Sequence, residues 1–369
     1  MERLYPQLIL DALKNVRYPA SGKNIVEAGM VEDDIRIDGN KVSFSLVFDK
    51  PTDPFIKSLV KASEAAIATY ISPEVDIKGN IAVKTRQEAP QPAVKPLAQV
   101  KNIIGVSSGK GGVGKSTVAS NLAVALAREG YKVGLLDADI FGPSMPKMFG
   151  VEDEELYMHH VDGRELIIPI ERYGVKLLSI GFLVDKNAPV LWRGSMASNA
   201  LRQLICDADW GELDYFLIDM PPGTSDIHLT LVQTLALTGV VIVSTPQQVA
   251  LADARKGIAM FTGDKVNVPI LGLVENMAWF TPAQHPDERY YIFGKEGGVE
   301  LAKELGVKLL AQIPLVADVC DDGDAGTPIA LKDTLMGHEF LHLAHEVVDA
   351  VDERNKTLPP TTKVNVTKK

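Results

Sequence analysis

The 369-residue chain has only two cysteines, Cys206 and Cys320. Two thiols cannot build a disulfide framework, and they suit a reducing compartment. Aromatic residues make up just 6%, and no apolar run approaches the ~20 residues of a membrane-crossing helix. The start, Met1-Glu2-Arg3, lacks the apolar stretch of a signal peptide. Positive charge is in deficit: 38 Lys and Arg against 48 Asp and Glu give −10. That balance disfavours general binding to nucleic acid or to anionic membranes. A cytoplasmic protein with neither as a partner is expected. Hydrophobic residues at 46% and charged residues at 23% exclude wholesale disorder. At roughly 150 residues per domain, the length fits two or so domains.

Residues 86–100, RQEAPQPAVKPLAQV, hold three prolines and no apolar period, which predicts a linker. Residues 1–85 before it read as a small α+β domain. A helix is expected over Leu8–Val16, and a hairpin joins Ile35–Ile37 to Val42–Phe48 around Asp38-Gly39-Asn40. A second helix is expected over Phe55–Tyr70, capped by Thr52 or Asp53, and a last strand over Val75–Val83. After the linker, residues 101–355 alternate short apolar strands with helices. The strands read as Asn102–Ser107, Val133–Asp137, Val175–Ile180, Tyr215–Asp219, Val240–Ser244, Ile270–Glu275 and Leu309–Ile313. Most are continuous Val/Ile/Leu runs without alternation, the mark of strands buried on both faces. The expectation is an α/β fold with a mostly parallel sheet covered by helices. Residues 356–369 are polar and read as a disordered tail.

Chemistry concentrates after the first strand of this second domain. Gly109-Lys110-Gly111-Gly112-Val113-Gly114-Lys115-Ser116 fits G-x-x-x-x-G-K-[ST] and opens a helix carrying Val118, Leu122, Ala125 and Leu126 at helical spacing. Glycines let backbone N–H groups turn toward phosphate oxygens, and the helix N-terminus adds partial positive charge. These residues with Thr117 form the expected ATP-binding loop of a P-loop NTPase. Lys115 would reach the β/γ-phosphates and the Ser116 hydroxyl would bind Mg²⁺. Asp219 ends an apolar strand, which places it on the binding edge of a parallel sheet as the second Mg²⁺-side group. Leu135-Leu136-Asp137-Ala138-Asp139 is another strand ending in acids. Asp139 is a candidate to orient the attacking water, and Asp137 to support the metal shell; a simple turn before Gly142-Pro143 is the alternative for both.

Lys110 departs from an ordinary phosphate loop. Lys110-Gly111-Gly112-Val113-Gly114-Lys115-Ser116 resembles the deviant Walker A motif of septum-site and partition ATPases, nitrogenase iron protein and arsenite-pump ATPase. The resemblance implies a homodimer in which Lys110 reaches the partner's nucleotide and acts catalytically in trans. Further strings are similar to the Mrp/ApbC family of iron–sulfur cluster carrier ATPases. They are Val106-Ser107-Ser108-Gly109, Asp137-Ala138-Asp139-Ile140-Phe141-Gly142-Pro143-Ser144, Trp192-Arg193-Gly194, Asp219-Met220-Pro221-Pro222-Gly223-Thr224-Ser225-Asp226 and Glu275-Asn276-Met277. The likeness runs from about residue 100 to about residue 335. More weakly, the N-terminal unit is similar to the small domain that precedes the ATPase in bacterial members. By position, the resemblance assigns adenine contacts to Asn276 and to the segment around Pro314. It implies slow ATP hydrolysis, delivery of clusters to iron–sulfur apoproteins or work with assembly factors, and a [4Fe–4S] cargo.

One departure concerns that cargo. The family's Cys-x-x-Cys follows Glu-Asn-Met, and two such pairs across a dimer supply four thiolates. The corresponding Ala278–Arg289 contains no cysteine, and His285 is its only usual soft-metal ligand. Cys320 lies too far along, and Cys206 belongs to an apolar helix over Leu201–Cys206, so cluster ligands stay unassigned. The alternative function is an ATP-dependent adaptor, or a spatial-organisation switch of the partition or septum-site type, without a cluster. Elsewhere, His338-Glu339-Phe340-Leu341-His342 fits the zinc-protease pattern H-E-x-x-H. The apolar stripe Phe340, Ala344, Val347 and Val351 reads instead as the packing face of a last helix.

Overall fold

The computed structural model describes residues 4–19, 21–50, 52–85, 96–161, 163–183, 194–282, 285 and 287–364. The chain divides into two compact units, Met1–Val94 and Lys95–Lys369. Most of the expected linker, at 86–95, lies outside the described residues, as do Trp192 and Arg193.

The first unit contains α1 (Pro6–Leu13), β1 (Arg36–Asp38), β2 (Lys41–Phe48), α2 (Ile56–Tyr70) and β3 (Ile81–Thr85). β1 and β2 pair antiparallel around Gly39, whose φ of 60° suits a glycine. β3 pairs parallel to β2. Three expectations shift here. Pro6 starts α1 earlier than expected, because proline is preorganised for a first turn. The N-cap position of α2 is Phe55; Asp53 acts one turn earlier, accepting the Phe55 amide at 2.7 Å. The segment at 75–83 becomes a strand only at Ile81, with a single bridge from Asp76 to Lys41 before it. Ile9, Leu13, Phe44, Leu46, Phe48, Leu59 and Ile67 fill the core.

The second unit runs β4 (Val100–Ser108), α3 (Lys115–Arg128), β5 (Val133–Asp137), α4 (Met145–Met148), β6 (Met158–Val161), β7 (Arg164–Ile167), β8 (Ile170–Arg172) and β9 (Val175–Ser179). It continues with α5 (Gly194–Cys206), β10 (Leu213–Asp219), α6 (Asp226–Thr234), β11 (Gly239–Ser244), α7 (Gln248–Thr262) and β12 (Ile270–Phe280). Last come α8 (Gly297–Leu305), β13 (Leu309–Leu315), α9 (Ala317–Asp324) and α10 (Leu335–Thr357). The main sheet has the order β13-β12-β11-β4-β10-β5-β9-β8. It is parallel except for β8, which pairs antiparallel at the edge. β6 and β7 form a separate hairpin. β6, β7 and β8 were not anticipated: their half-exposed, charge-rich sequences carry little apolar signal.

β10 explains why its sequence reads as an unbroken apolar run. Tyr215 and Leu217 join one buried cluster with Val118, Leu122 and Leu126 of α3 and Phe340, Leu343, Val347 and Val351 of α10. Phe216 and Ile218 join the opposite cluster with Leu201 and Leu204 of α5, Leu231 of α6 and Leu251 and Ile258 of α7. Alternate side chains enter different layers, and both layers are dry. The polar tail needs correction. α10 continues to Thr357, Arg354 Nη2 donates to the Pro359 carbonyl at 2.7 Å and to Thr361 Oγ1 at 2.8 Å, and Val364 is buried with its amide on Val232 O. One apolar residue in a polar stretch is enough to seat it. Residues 365–369 lie outside the described residues. Among the described residues, no helix is long and apolar enough to cross a membrane.

In the first unit, Asp34 accepts from Ser45 Oγ at 2.6 Å, from the Ser45 amide at 2.8 Å and from Lys84 Nζ at 2.9 Å. Burial pushes its carboxyl up, but Ser45 and Lys84 together bring it down to about 2 from 3.8. A carboxylate more acidic in the folded state adds stability above its unfolded pKa and loses it as pH falls. In the full-length protein, hydrogen-exchange protection of β1 and β2 should therefore drop between pH 4 and pH 2. Asp34→Asn should weaken protection at pH 4 and flatten that drop; an unaltered profile would contradict the assignment.

Candidate nucleotide site

β4, β10 and β5 are neighbours, and their carboxyl ends form one edge. Ligands of open parallel sheets sit at such an edge, near the point where connections diverge to either side. The loop 109–114 leaves β4 there. Gly112 and Gly114 take φ values of 79° and 81°, in the left-handed region that glycine enters without strain. Gly109 is required for a different reason. A Cβ there would lie 2.2 Å from the Asp253 carbonyl carbon and 2.4 Å from the Ala254 nitrogen. The loop is thus clamped between β4 and α7, and α3 begins at Lys115.

Lys115 is 6% exposed and surrounded by carboxylates. Its Nζ lies 2.6 Å from Asp219 Oδ1, 3.2 Å from Ser116 Oγ and 3.6 Å from Asp139 Oδ2. Ser116 Oγ donates to Asp219 Oδ2 at 2.6 Å. Burial pushes the Asp219 carboxyl up, opposed by the charge of Lys115 and by its hydrogen bonds with Lys115 and Ser116. Lysine, serine and both expected acids therefore converge on one point. Among the described residues, no group of three or more His, Cys, Asp or Glu side chains is arranged to hold a metal alone. Mg²⁺ usually keeps waters and shares phosphate oxygens rather than filling a protein cage. Ser116 and Asp219 have the right chemistry for the protein side of such a shell.

Asp137 has a different task. It stands in register with Asp219 on one side and Ser179 on the other. Its Oδ2 accepts from Ser179 Oγ at 2.8 Å and from the Met145 amide at 3.2 Å, and its Oδ1 accepts the Asp139 amide at 3.1 Å. Both oxygens accept from protein donors, two of them amides of the loop 138–145, so Asp137 shapes that loop. Burial, then the charge of Asp219, pushes its carboxyl up to about 7. Asp139 accepts the Phe141 amide at 3.2 Å and turns its other oxygen toward Lys115. Ser179 escaped the sequence analysis, because its role comes from strand register with Asp137, which no local pattern shows.

Asn276 braces the phosphate loop: Nδ2 donates to the Val113 carbonyl at 2.9 Å, and a Cβ on Gly114 would lie 2.1 Å from that nitrogen. Ile313 is its partner in register, which puts Pro314 one residue beyond, on edge strand β13 where proline costs no ladder bond. Thr117 lies in the first turn of α3, its carbonyl accepting from Ser120 and Asn121. Lys110 is half-buried. Its carbonyl accepts Ser108 Oγ at 3.0 Å, while its ammonium has no partner among the described residues.

The described residues of the cysteine-free stretch make contacts at its two ends. Phe280 and Tyr290 exchange backbone hydrogen bonds of 2.8 Å each, and the Arg289 guanidinium lies 4.3 Å from the Trp279 ring centre. His285 is exposed beside Glu288. Cys206 is half-buried, with its thiol pushed up by burial, and Cys320 is exposed on α9. The H-E-x-x-H histidines project from the outer face of α10; His338 pairs with Asp333 at 2.8 Å. Nothing gathers a zinc site there among the described residues.

The family described as NUBPL iron-transfer P-loop NTPase matches residues 99–350. The chain belongs to this family. Residues 6–77 match a second family, described as iron–sulfur cluster assembly protein. An iron–sulfur cluster carrier protein of Synechocystis is 44% identical over 88% of this chain and 91% of its own length. A protein of the same description from Aquifex aeolicus is 40% identical over 94% and 99%. Among solved structures, a nucleotide-binding protein from Archaeoglobus fulgidus in complex with ADP is 39% identical, with a TM-score of 0.55 over 64% of this chain and 91% of its own. This P-loop NTPase therefore has relatives that match both of its units.

Gly109→Ala tests the clamp on the loop. Separating β4 from α7 should weaken ADP binding by about tenfold, or ~1.4 kcal/mol, in a calorimetric titration; wild-type affinity would show that α7 does not hold the loop.

Proposed function

We propose that this chain binds ATP with Mg²⁺ and hydrolyses it slowly, and that a nucleotide-gated homodimer delivers iron–sulfur clusters to apoproteins or assists their maturation. The observation that carries the reading is the convergence of Lys115, Ser116, Asp139 and Asp219 beside the phosphate loop, in a chain 40–44% identical to cluster carriers. Loop amides and Lys115 hold the phosphates, and Ser116 and Asp219 serve the metal. Asp139 positions water. Lys110, whose ammonium has no partner among the described residues, completes the site of the other subunit, where a cation stabilises charge on the transferring phosphoryl group. Asn276 and Pro314 flank the base. Two unpaired thiols suit the cytoplasm.

A second reading has its own observation. The chain has two cysteines and none between Asn276 and Arg289. An ATP-gated adaptor that presents clients without holding a cluster needs no more than that.

Lys115→Ala should abolish hydrolysis, with unfolding followed in parallel because breaking a buried ion pair costs about 3–5 kcal/mol. Lys110→Ala should keep nucleotide affinity yet lose turnover at least about tenfold. Retained turnover in either variant would remove the corresponding role. Anaerobic iron–sulfur reconstitution of wild type and a Cys206→Ser/Cys320→Ser variant separates the two readings. A stoichiometric cluster in wild type that is lost in the variant is expected for a carrier with relocated ligands; no cluster in wild type would favour the adaptor.

A further inference from the structure

The segment Met220–Ser225 joins Asp219 to α6 and runs beside the phosphate loop. The Met220 amide bonds to Val106 O at 3.0 Å and the Gly223 amide to Ser108 O at 2.9 Å. A Cβ on Gly111 would lie 3.9 Å from Pro222 Cγ, and one on Gly223 would lie 3.7 Å from Gly109 O. Any phosphate held by that loop has this segment as a wall. Its near end is fixed by the strand; its far end is fixed by His228. The His228 Nδ1 accepts the Ser225 amide at 3.1 Å and lies 3.2 Å from Ser225 Oγ, while the His228 amide donates to Ser225 O at 3.0 Å. This is a capping box with an imidazole where glutamate or glutamine usually stands.

Packing alone does not account for this histidine. It is 1% exposed and sits edge-on to Phe261 of α7, with ring centres 6.1 Å apart. Because Nδ1 accepts, the proton resides on buried Nε2; no acceptor meets full hydrogen-bond geometry there, and the Pro221 carbonyl is the wall group that interacts with the ring. Leucine would fill a similar space but could accept nothing from the Ser225 amide and offer nothing to the Pro221 carbonyl. Burial drives the ring's pKa down to about 4, and the charge of Lys115 reinforces the shift. The ring is therefore neutral at physiological pH, so its Nδ1 lone pair stays available to Ser225.

We propose that His228 is a positioning residue for hydrolysis: by holding Ser225, it sets the Pro221–Gly223 wall of the phosphate site. The proposal rests on the ATPase reading above. It concerns the geometry of the reacting phosphate, not the affinity for nucleotide.

The test compares wild type, His228→Leu, His228→Met and His228→Gln, measuring kcat for ATP, Kd for ADP and Tm. Leu and Met should lower kcat about tenfold, since small misplacements near reacting atoms are costly. ADP affinity should stay within about twofold. Gln can accept the Ser225 amide as an ordinary capping-box residue and should restore most of the rate. Wild-type turnover in Leu and Met would overturn the proposal. So would a parallel loss of kcat and ADP affinity, or a Gln variant no better than Leu, because acceptance of the Ser225 amide is the claim. Absence of hydrolysis by wild type itself would remove the underlying reading first, and is distinguishable because every variant would then match it.

Discussion

The buried pair between Lys115 and Asp219 is the interaction on which the site depends. An ammonium 6% exposed is unfavourable unless anions replace its lost water. Asp219 does so at 2.6 Å and Asp139 at 3.6 Å. The pair also sets what a nucleotide must do. On the proposed function, phosphate oxygens would compete with Asp219 for Lys115. The carboxylate so released keeps its place at 0% exposure, where its own burial favours a new cation. A magnesium ion beside Ser116 is the natural replacement. On that reading, metal and phosphate would favour each other's binding, each compensating the charge that the other sets free.

That exchange needs three strand ends held level, and the sheet supplies them. Asp219, Asp137 and Ser179 are consecutive partners in register across β10, β5 and β9. Two carboxylates side by side in a dry sheet would repel, and the protein separates their roles by their hydrogen bonds. Asp219 is given to cations, whereas Asp137 is given to Ser179 and two backbone amides. The acid with the protein donors carries the structure of the loop 138–145. The acid with the lysine stands at the start of α3, beside the phosphate loop.

How much of this was legible depends on how local the cause is. The phosphate loop could be read directly, because glycine spacing, the preceding strand and the helix after it lie within about 25 residues of one another. The parallel sheet was legible because continuous apolar runs such as Tyr215–Ile218 have few other uses. The two acids could be given different roles from sequence, but the hydrogen bonds that hold Asp137 were not legible. They depend on Ser179, 42 residues away, and on strand register. The brace from Asn276 to Val113 spans 163 residues and left no local trace. β6 to β8 and the packed segment before Val364 were missed for the opposite reason: their burial is partial, so a polar-looking sequence conceals ordered backbone.

The ATP site and the means of holding a cluster are separable in this chain. Every group a P-loop needs is present and mutually satisfied, from the glycines through Lys115 to Asp219. The thiols are another matter. A [4Fe–4S] cluster takes four thiolates, and one chain offers two cysteines, on different helices. Cys206 is half-buried with its thiol pushed up, which disfavours the thiolate that iron requires. Among the described residues of 278–289, Phe280 and Tyr290 pair their backbones and Arg289 stacks on Trp279. With no cysteine in that stretch, the proposed nucleotide gate does not draw on thiolates there, and iron handled by the protein would be held by thiols elsewhere or brought by the partner that is loaded.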